Sequence, residues 1–343
     1  YNLYISSEED RLSIKKAYDF ILEKHKDQFR KSGEPYYHHL IEVAYILAEL
    51  HAGPATIISG LLHDVVEDTE TTVDDIKEIW GKDVAKIVDS LTKIQRLKLS
   101  KMKREDFEAE DHRKIFIGMA KDIRVILIKL ADRLHNLRTL ASLSEERQVA
   151  LSKETEEVFI PIATRLGLET IRSEMANICL SYLHPVEYDH IISLLSKKTK
   201  ILNKSLDNIK KRIADILLKN KVDEFEISSR VKSISSIYDK MYKKGHQFDE
   251  IYDILALRII CNTEIDCYKI LGLIHQTYTP IPGRFKDYIA TPKINMYQSL
   301  HTTIISGDGN FYEIQIRTKE MDEIAETGVA SHWAYKEGSG YNP

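Results

Sequence analysis

Apolar residues recur at helical spacing through roughly the first two thirds of this 343-residue chain, and near residue 225 the period changes to the alternation of strands. That switch constrains the fold more than any single residue does. It predicts an all-helical part followed by a mixed α/β part. IEVAYILAEL (41–50) and TIISGLLHDVVED (56–68) each carry an apolar helical face. Gly53-Pro54 separates them, and Pro54 suits the first turn of the second helix. DDIKEIWGKDVAKIVDSLTKI (74–94) supplies one or two helices, residues 95–112 a polar, flexible loop, and DIRVILIKLADRLHNLRTL (122–140) a long helix. Residues 145–220 stay helical in pattern, with breaks at Gly167 and Pro185. Beyond the switch, FEISSRVK and DILALRIICN predict strands. SLHTTIISG and NFYEIQIRT predict an antiparallel hairpin across GDGN.

The length allows two or three domains. A net charge of −4 leaves no global field to draw the chain to nucleic acid or a membrane. No apolar run reaches the roughly 18 residues of a membrane span, and no signal peptide is visible. Cys179, Cys261 and Cys267 form no C-x-x-C pair and suit a reduced, cytoplasmic setting. The chain opens at Tyr1 and ends in GSGYNP, which suggests a piece of a longer protein. Residues 196–244 carry 14 Lys/Arg against 6 Asp/Glu, either a solvated helix face or a phosphate-facing edge.

LLHDVVEDT (61–69) holds the first chemistry. His63 and Asp64 offer a divalent metal one nitrogen and one oxygen. In a helix, Glu67 would lie on the His63 face and Asp68 on the Asp64 face, two spare carboxylates placed to activate water. His39, in GEPYYHHLIEV, and Asp132, in KLADRLHNLRTL, extend the pair to two histidines and two carboxylates with room for water. Asp132, Asn136 and Thr139 fall at i, i+4 and i+7 as a polar stripe, apart from the apolar stripe of Leu130, Leu134 and Leu137. Taken alone, Asp132 reads equally as a surface partner of Arg133 or Arg138. Mixed nitrogen and oxygen ligation suits Mn²⁺, Fe²⁺ or Zn²⁺. The set has the ligand pattern of HD-family phosphohydrolases. Upstream, Arg30, Lys31 and Ser32 form either a phosphate grip or an exposed basic turn.

The second part has its own candidates. The period of two puts Glu313, Gln315 and Arg317 on one strand face, opposite Tyr312, Ile314 and Ile316. Asp253, ahead of a buried strand, suits Mg²⁺. Arg230 and Lys232 are candidate phosphate clamps. Arg284, Lys286, Tyr297 and His301 come from GRFKDY and NMYQSLHTT, and Tyr297 suits stacking on a purine. Each residue alone reads as a surface pair, a turn or a core aromatic. Together they point to a nucleotide site for phosphoryl-group transfer.

RKSGEPYYHH, LLHDVVEDT, KDIRVILIKLADRLHNLRTL, PGRFKDYIATPK, YQSLHTT, EIQIRTKEM and GVASHWAYKEG, in this order, make the chain resemble the long RelA/SpoT homologues, the bifunctional Rel enzymes that make and destroy (p)ppGpp. The resemblance implies a multidomain chain: an all-α HD-type hydrolase domain (1–148), a helical linker (149–195) and a mixed α/β, nucleotidyltransferase-like synthetase domain (196–343). It implies that the first domain removes the 3′-pyrophosphate of ppGpp or pppGpp using Mn²⁺. His39, His63, Asp64 and Asp132 match the metal ligands, Glu67 and Asp68 the pair that activates water. Arg30, Lys31, Asn136 and Thr139 match substrate positions. It implies that the second domain transfers pyrophosphate from ATP to the 3′-OH of GDP or GTP. Asp253 matches the Mg²⁺ ligand, and Glu313 the residue that assists Mg²⁺ and deprotonates the hydroxyl. Arg230 and Lys232 match ATP-phosphate contacts with Lys240 nearby. Tyr297 matches the tyrosine that stacks on guanine, with Asn295 beside it.

Arg284-Phe285-Lys286-Asp287 is the basic R-x-K-D motif of bifunctional members, where synthetase-only relatives carry an acidic E-x-D-D. Three positions depart from the family pattern: Met296 stands for a Gly, Asp239 for a basic residue, and Leu40 for a Pro after His39. The first two bear on synthesis, the third leaves hydrolysis intact. The C-terminal domains through which full-length relatives sense ribosomes and uncharged tRNA are absent from this sequence, so no ribosome dependence is expected of it. Two alternatives stay open, a hydrolase whose second domain only senses nucleotides and a non-catalytic alarmone-binding protein.

Overall fold

The computed structural model describes residues 4–101, 122–307 and 309–328, excepting the side chains of 97–101 and 201–204. They form two compact units. The first ends at Tyr182 and takes in Thr327 and Gly328, and the second runs Leu183–Glu326. The division falls within the span 149–195 read from sequence as a linker.

The first unit is helical: α1 (Glu8–Lys24), α2 (Tyr36–Glu49), α3 (Pro54–Leu61), α4 (Val65–Asp68), α5 (Val73–Lys101), α6 (Ile123–Arg138), α7 (Glu145–Glu154), α8 (Ile160–Arg165) and α9 (Glu169–Leu183). Local chemistry sets their ends. The Ser7 hydroxyl accepts from the Asp10 N–H at 3.2 Å, and Glu8, Glu9 and Asp10 face the positive end of α1. Pro54 opens α3, as its missing N–H favours. Asp122 caps α6 by accepting from the Arg124 N–H at 3.0 Å. Gly81, at φ 87°, divides α5 and resolves the choice of one or two helices there. Residues 95–101, read as the start of a loop, continue α5 instead. Their Gln, Arg, Lys and Leu are helix formers, so polarity alone was a poor loop signal. The remainder of that expected loop, 102–112, and residues 329–338 of the C-terminal motif lie outside the described residues.

Leu40, Val43 and Leu47 of α2, Ile57 and Leu61 of α3, and Leu127, Leu130 and Leu134 of α6 are buried together in the core. A Cβ at Gly60 would stand 2.5 Å from Leu47 Cδ1, so α2 and α3 meet where one residue has no side chain. The segment 56–68 is not one helix. His63 Nδ1 takes the Gly60 carbonyl at 2.7 Å, which in an unbroken helix would accept from the Asp64 N–H. His63 and Asp64 therefore occupy a turn between α3 and α4.

The second unit holds α10 (Pro185–Lys219), β1 (Phe225–Val231), α11 (Ile234–Tyr238), β2 (Leu255–Cys261), α12 (Glu264–Thr277), β3 (Thr279–Pro280), β4 (Lys286–Asp287), β5 (Leu300–Ile305), β6 (Phe311–Thr318) and α13 (Lys319–Thr327). The strand order is β1-β2-β6-β5-β3, with β4 also on β5. Among the described strands only β2 and β6 pair in parallel, and β5–β6 is the expected hairpin. Asp308, within its GDGN turn, lies outside the described residues. Alternation sends Leu257, Ile259, Ile304, Ile314 and Ile316 into a core with Ile213 of α10 and Ile270 of α12. Register sets Ala256, Glu313 and Thr303 side by side on the other face, next to the row of Arg258, Gln315 and His301.

No helix among the described residues is long and apolar enough to cross a membrane. Cys179, Cys261 and Cys267 are free, buried thiols. Gly60→Ala is expected to cost about 1–3 kcal/mol through overpacking against Leu47. Calorimetry should show a lowered melting temperature for the first unit.

Candidate functional sites

In the first unit α2 brings His39, the turn after α3 brings His63 and Asp64, and α6 brings Asp132. His39 Nε2 lies 3.3 Å from Asp132 Oδ1 and 4.0 Å from Asp64 Oδ2. His63 Nε2 lies 3.1 Å from Asp64 Oδ2 and 4.0 Å from Asp132 Oδ1. Ligand atoms about 2.0–2.2 Å from a divalent ion stand roughly 3–4.4 Å apart, which these spacings match. The ligand atoms of His39, His63 and Asp64 all fall within 4.8 Å of one another. His63 supplies the sharpest test of fit. Its Nδ1–H donates to the Gly60 carbonyl, and its buried Nε2 has no hydrogen-bond partner among the described residues. An orphaned buried nitrogen facing two carboxylates suits a metal.

The surroundings orient the carboxylates. The Tyr36 hydroxyl donates to Asp64 Oδ2 at 2.7 Å, and the Asn136 amide donates to Asp132 Oδ1 at 2.7 Å. Lys129, 7 % exposed, lies 3.4 Å from Asp132 Oδ2. Burial opposes ionisation of Asp132, but Lys129 and the two histidines outweigh it and hold the carboxyl well below its usual range. Burial also opposes charge on His63, yet Asp64 and Asp132 raise it to about 9. Glu67 moves the other way. Burial first, and the Asp64 charge second, push it up to about 7. Burial and Asp64 raise Asp68 as well.

A cavity of about 490 Å³ opens beside the centre, lined by Arg30, Lys31, Asp132, Asn136 and Thr139. The polar stripe read from sequence therefore faces a space that a ligand can enter. Leu143, Arg147, Leu151 and Phe159 also line it, a contribution the sequence did not signal. Ser32 is exposed and outside the lining, and Glu67 and Asp68 are outside it too. Arg133 and Arg138, weighed as surface partners of Asp132, pair instead with Glu154 and Glu174.

Sequence reasoning missed Tyr36, Lys129 and His135. His135 and Lys129 stand three residues either side of Asp132, one helical turn away, a spacing that was available. Tyr36 had no signal, because its contact with Asp64 joins α2 to the turn after α3.

In the second unit Asp253 lies two residues before β2. It accepts from Lys240 Nζ at 2.8 Å on each oxygen and from Lys232 Nζ at 2.9 Å. Burial opposes its charge, and the two lysines overcome it, so its carboxyl stays below the usual value. On the polar sheet face His301 Nδ1 donates to Glu313 Oε1 at 3.0 Å, and the Tyr297 hydroxyl meets His301 Nε2 at 2.8 Å. Gln315 Nε2 reaches Glu313 Oε2 at 3.4 Å. Burial works against the Glu313 carboxylate, but His301 holds its pKa below the ordinary value. Lys293 Nζ lies 4.9 Å and Arg317 Cζ 5.8 Å from the Tyr297 ring centre, so that ring already sits among cations. Arg230 on β1 is close enough to act on the Tyr297 hydroxyl electrostatically.

The remaining expected residues make contacts of their own. Arg284 lies 5.3 Å over the Tyr252 ring, and Lys286 is exposed on β4 opposite His301. Asn295 accepts from the Tyr297 N–H at 3.3 Å and so closes its own loop. Met296 adopts φ 64°, the left-handed backbone that the missing glycine would favour. Asp239 pairs with Lys243 at 2.9 Å.

A family model described as an HD domain matches residues 17–169. A second, described as the region found in RelA / SpoT proteins, matches residues 229–340. A guanosine-3′,5′-bis(diphosphate) 3′-pyrophosphohydrolase of Spiroplasma citri is 47% identical over 344 residues, covering 99% of this chain and 45% of the relative. A GTP pyrophosphokinase of Myxococcus xanthus is 47% identical over 330 residues, covering 95% of this chain and 43% of the relative. The small alarmone synthetase 2 of Bacillus subtilis is 32% identical at a TM-score of 0.33, covering 43% of this chain and 83% of that structure. The chain spans under half the length of the curated relatives it matches. Its helical unit with the two-histidine, two-carboxylate centre and its mixed-sheet unit answer to the two matched regions in order, and the chain belongs to the RelA/SpoT family.

Proposed function

We propose that the chain is a bifunctional alarmone enzyme. Its first unit hydrolyses the 3′-pyrophosphate of ppGpp and pppGpp with Mn²⁺. Its second unit transfers pyrophosphate from ATP to the 3′-OH of GDP or GTP with Mg²⁺. The observation that carries the first half is the orphaned His63 Nε2 among His39, Asp64 and Asp132, beside a cavity lined by Arg30 and Lys31. The activities for which the relatives are named support both halves. The reduced thiols suit the cytoplasm as its compartment.

A bound divalent ion would supply Lewis acidity and lower the pKa of water. The chain's residues do the rest. Arg30 and Lys31 bind the phosphates, with Asn136 and Thr139 orienting the nucleotide. Glu67, raised to about 7, is matched to take a proton near neutral pH, and Asp68 stands beside it. In the second unit Glu313, kept ionised by His301, takes the proton of the attacking 3′-OH. Arg230, Lys232 and Lys240 bind the triphosphate, and Tyr297 packs on the guanine.

Glu313→Gln is expected to lower synthesis by about 10²–10⁴-fold and leave hydrolysis intact. Asp64→Ala should do the reverse. Nucleotide chromatography of both directions on one preparation reads both. A wild-type chain that hydrolyses ppGpp but never forms it would leave the second unit as a nucleotide sensor, and loss of both reactions would leave a binding protein.

Two lysines already neutralise Asp253, whereas the first centre presents an open nitrogen. Calorimetric titration of nucleotide-free protein with Mn²⁺ should therefore show one tight site. Asp64→Ala should abolish it and Asp253→Ala should not. A second site should appear only with a non-hydrolysable ATP analogue.

Met296→Gly is expected to relieve about 1–2 kcal/mol of left-handed strain, offset in part by glycine's greater freedom when unfolded. Synthesis should hold or rise. A fall would show that the Met296 side chain itself is needed.

A further inference from the structure

His135 projects from α6 one turn beyond Asp132 and is 8 % exposed. Two nitrogens approach its Nδ1: His39 Nδ1 at 2.7 Å and Arg30 Nη1 at 3.1 Å. A guanidinium only donates, so His135 Nδ1 must hold a lone pair there. The ring proton of neutral His135 is then on Nε2. The contact with His39 needs one donor, and His135 cannot supply it. His39 Nδ1 must therefore carry the hydrogen. That assignment leaves the His39 Nε2 lone pair aimed at Asp132 Oδ1 and Asp64 Oδ2, the position a metal ligand requires.

Arg30 is itself held. Its Nη2 donates to the side-chain oxygen of Asn136, one residue beyond His135 on α6, and the Thr139 hydroxyl caps the His135 carbonyl at 3.2 Å. Asn136 in turn donates to Asp132 at 2.7 Å. From Arg30, one path of hydrogen bonds reaches His39 through His135 and another reaches Asp132 through Asn136.

We propose that His135 is a positioning residue that fixes the tautomer of His39, and that Arg30 enforces it from the cavity wall, so the phosphate-binding arginine also sets the affinity of the metal centre. The proposal rests on the metal-centre reading of the first unit and not on either reaction being catalysed. It runs against simple electrostatics, because removing a cation near a metal site should tighten metal binding.

The test is Mn²⁺ titration of the metal-free, nucleotide-free chain. His135→Leu should weaken binding about 10–100-fold, whereas His135→Asn, whose oxygen reaches the Nδ1 position, should stay within about threefold of wild type. A buried leucine at 135 can also prevent folding, so Arg30→Met, at a half-buried position, is the second variant. It should weaken Mn²⁺ binding several-fold, and the imidazole nitrogen shifts of His39 should move from the Nδ1–H form to a mixture. Unchanged or tighter Mn²⁺ binding in Arg30→Met, or an unaltered His39 tautomer there, overturns the proposal. So does a folded His135→Leu that binds Mn²⁺ like the wild type. Failure of either nucleotide reaction with intact Mn²⁺ binding would bear on the proposed function and leave this inference standing.

Discussion

Two carboxylates and two imidazoles buried between α2, α3 and α6 are the constraint on which the first unit depends. Isolated buried charges cost several kcal/mol each unless they are paired and hydrogen-bonded. Here the compensation is partial and directional. Lys129 lies near one side of Asp132, Tyr36 and Asn136 each donate to one carboxylate oxygen, and His63 keeps an unused nitrogen. The arrangement supports a centre whose remaining balance comes from a bound cation. Gly60 serves it twice, by letting α2 and α3 close and by giving its carbonyl to His63.

The second unit solves a different problem with the same separation of faces. Its sheet buries one apolar side against α10 and α12, which frees the other for a dense polar row. In that row acids are met by neighbouring bases: Asp253 by two lysines, Glu313 by His301. Burial alone would raise both carboxyl pKa values, and these contacts reverse it. The first centre has an open ligand position and the second has its charges already matched. Two acid-containing sites in one chain therefore differ in how their charges are met.

Much of this was legible in sequence. The change of period near residue 225 separated the helical unit from the sheet unit. Alternation in NFYEIQIRT identified the polar face of β6, and the stripe of Asp132, Asn136 and Thr139 identified the cavity wall. Other readings failed for physical reasons. The helix expected across 56–68 breaks because a histidine side chain outcompetes the backbone for one carbonyl. Residues 95–101 continue a helix because charge on good helix formers is compatible with a solvated helix face. Arg284 stays a proposed nucleotide contact, and the cation over the Tyr252 ring is a pairing that no spacing signalled.

The sequence by itself determined the two architectures, the ligand types and the family motifs, because periodicity and residue chemistry are local properties. Only the tertiary structure decided which partners those residues meet. Tyr36 on Asp64, His135 between Arg30 and His39, and Lys240 on Asp253 each join separate segments or separate helices. Hydrogen bonds and charge interactions act over a few ångströms of space, whatever the distance along the chain. The tautomers and pKa shifts that they set therefore could not be read from spacing alone.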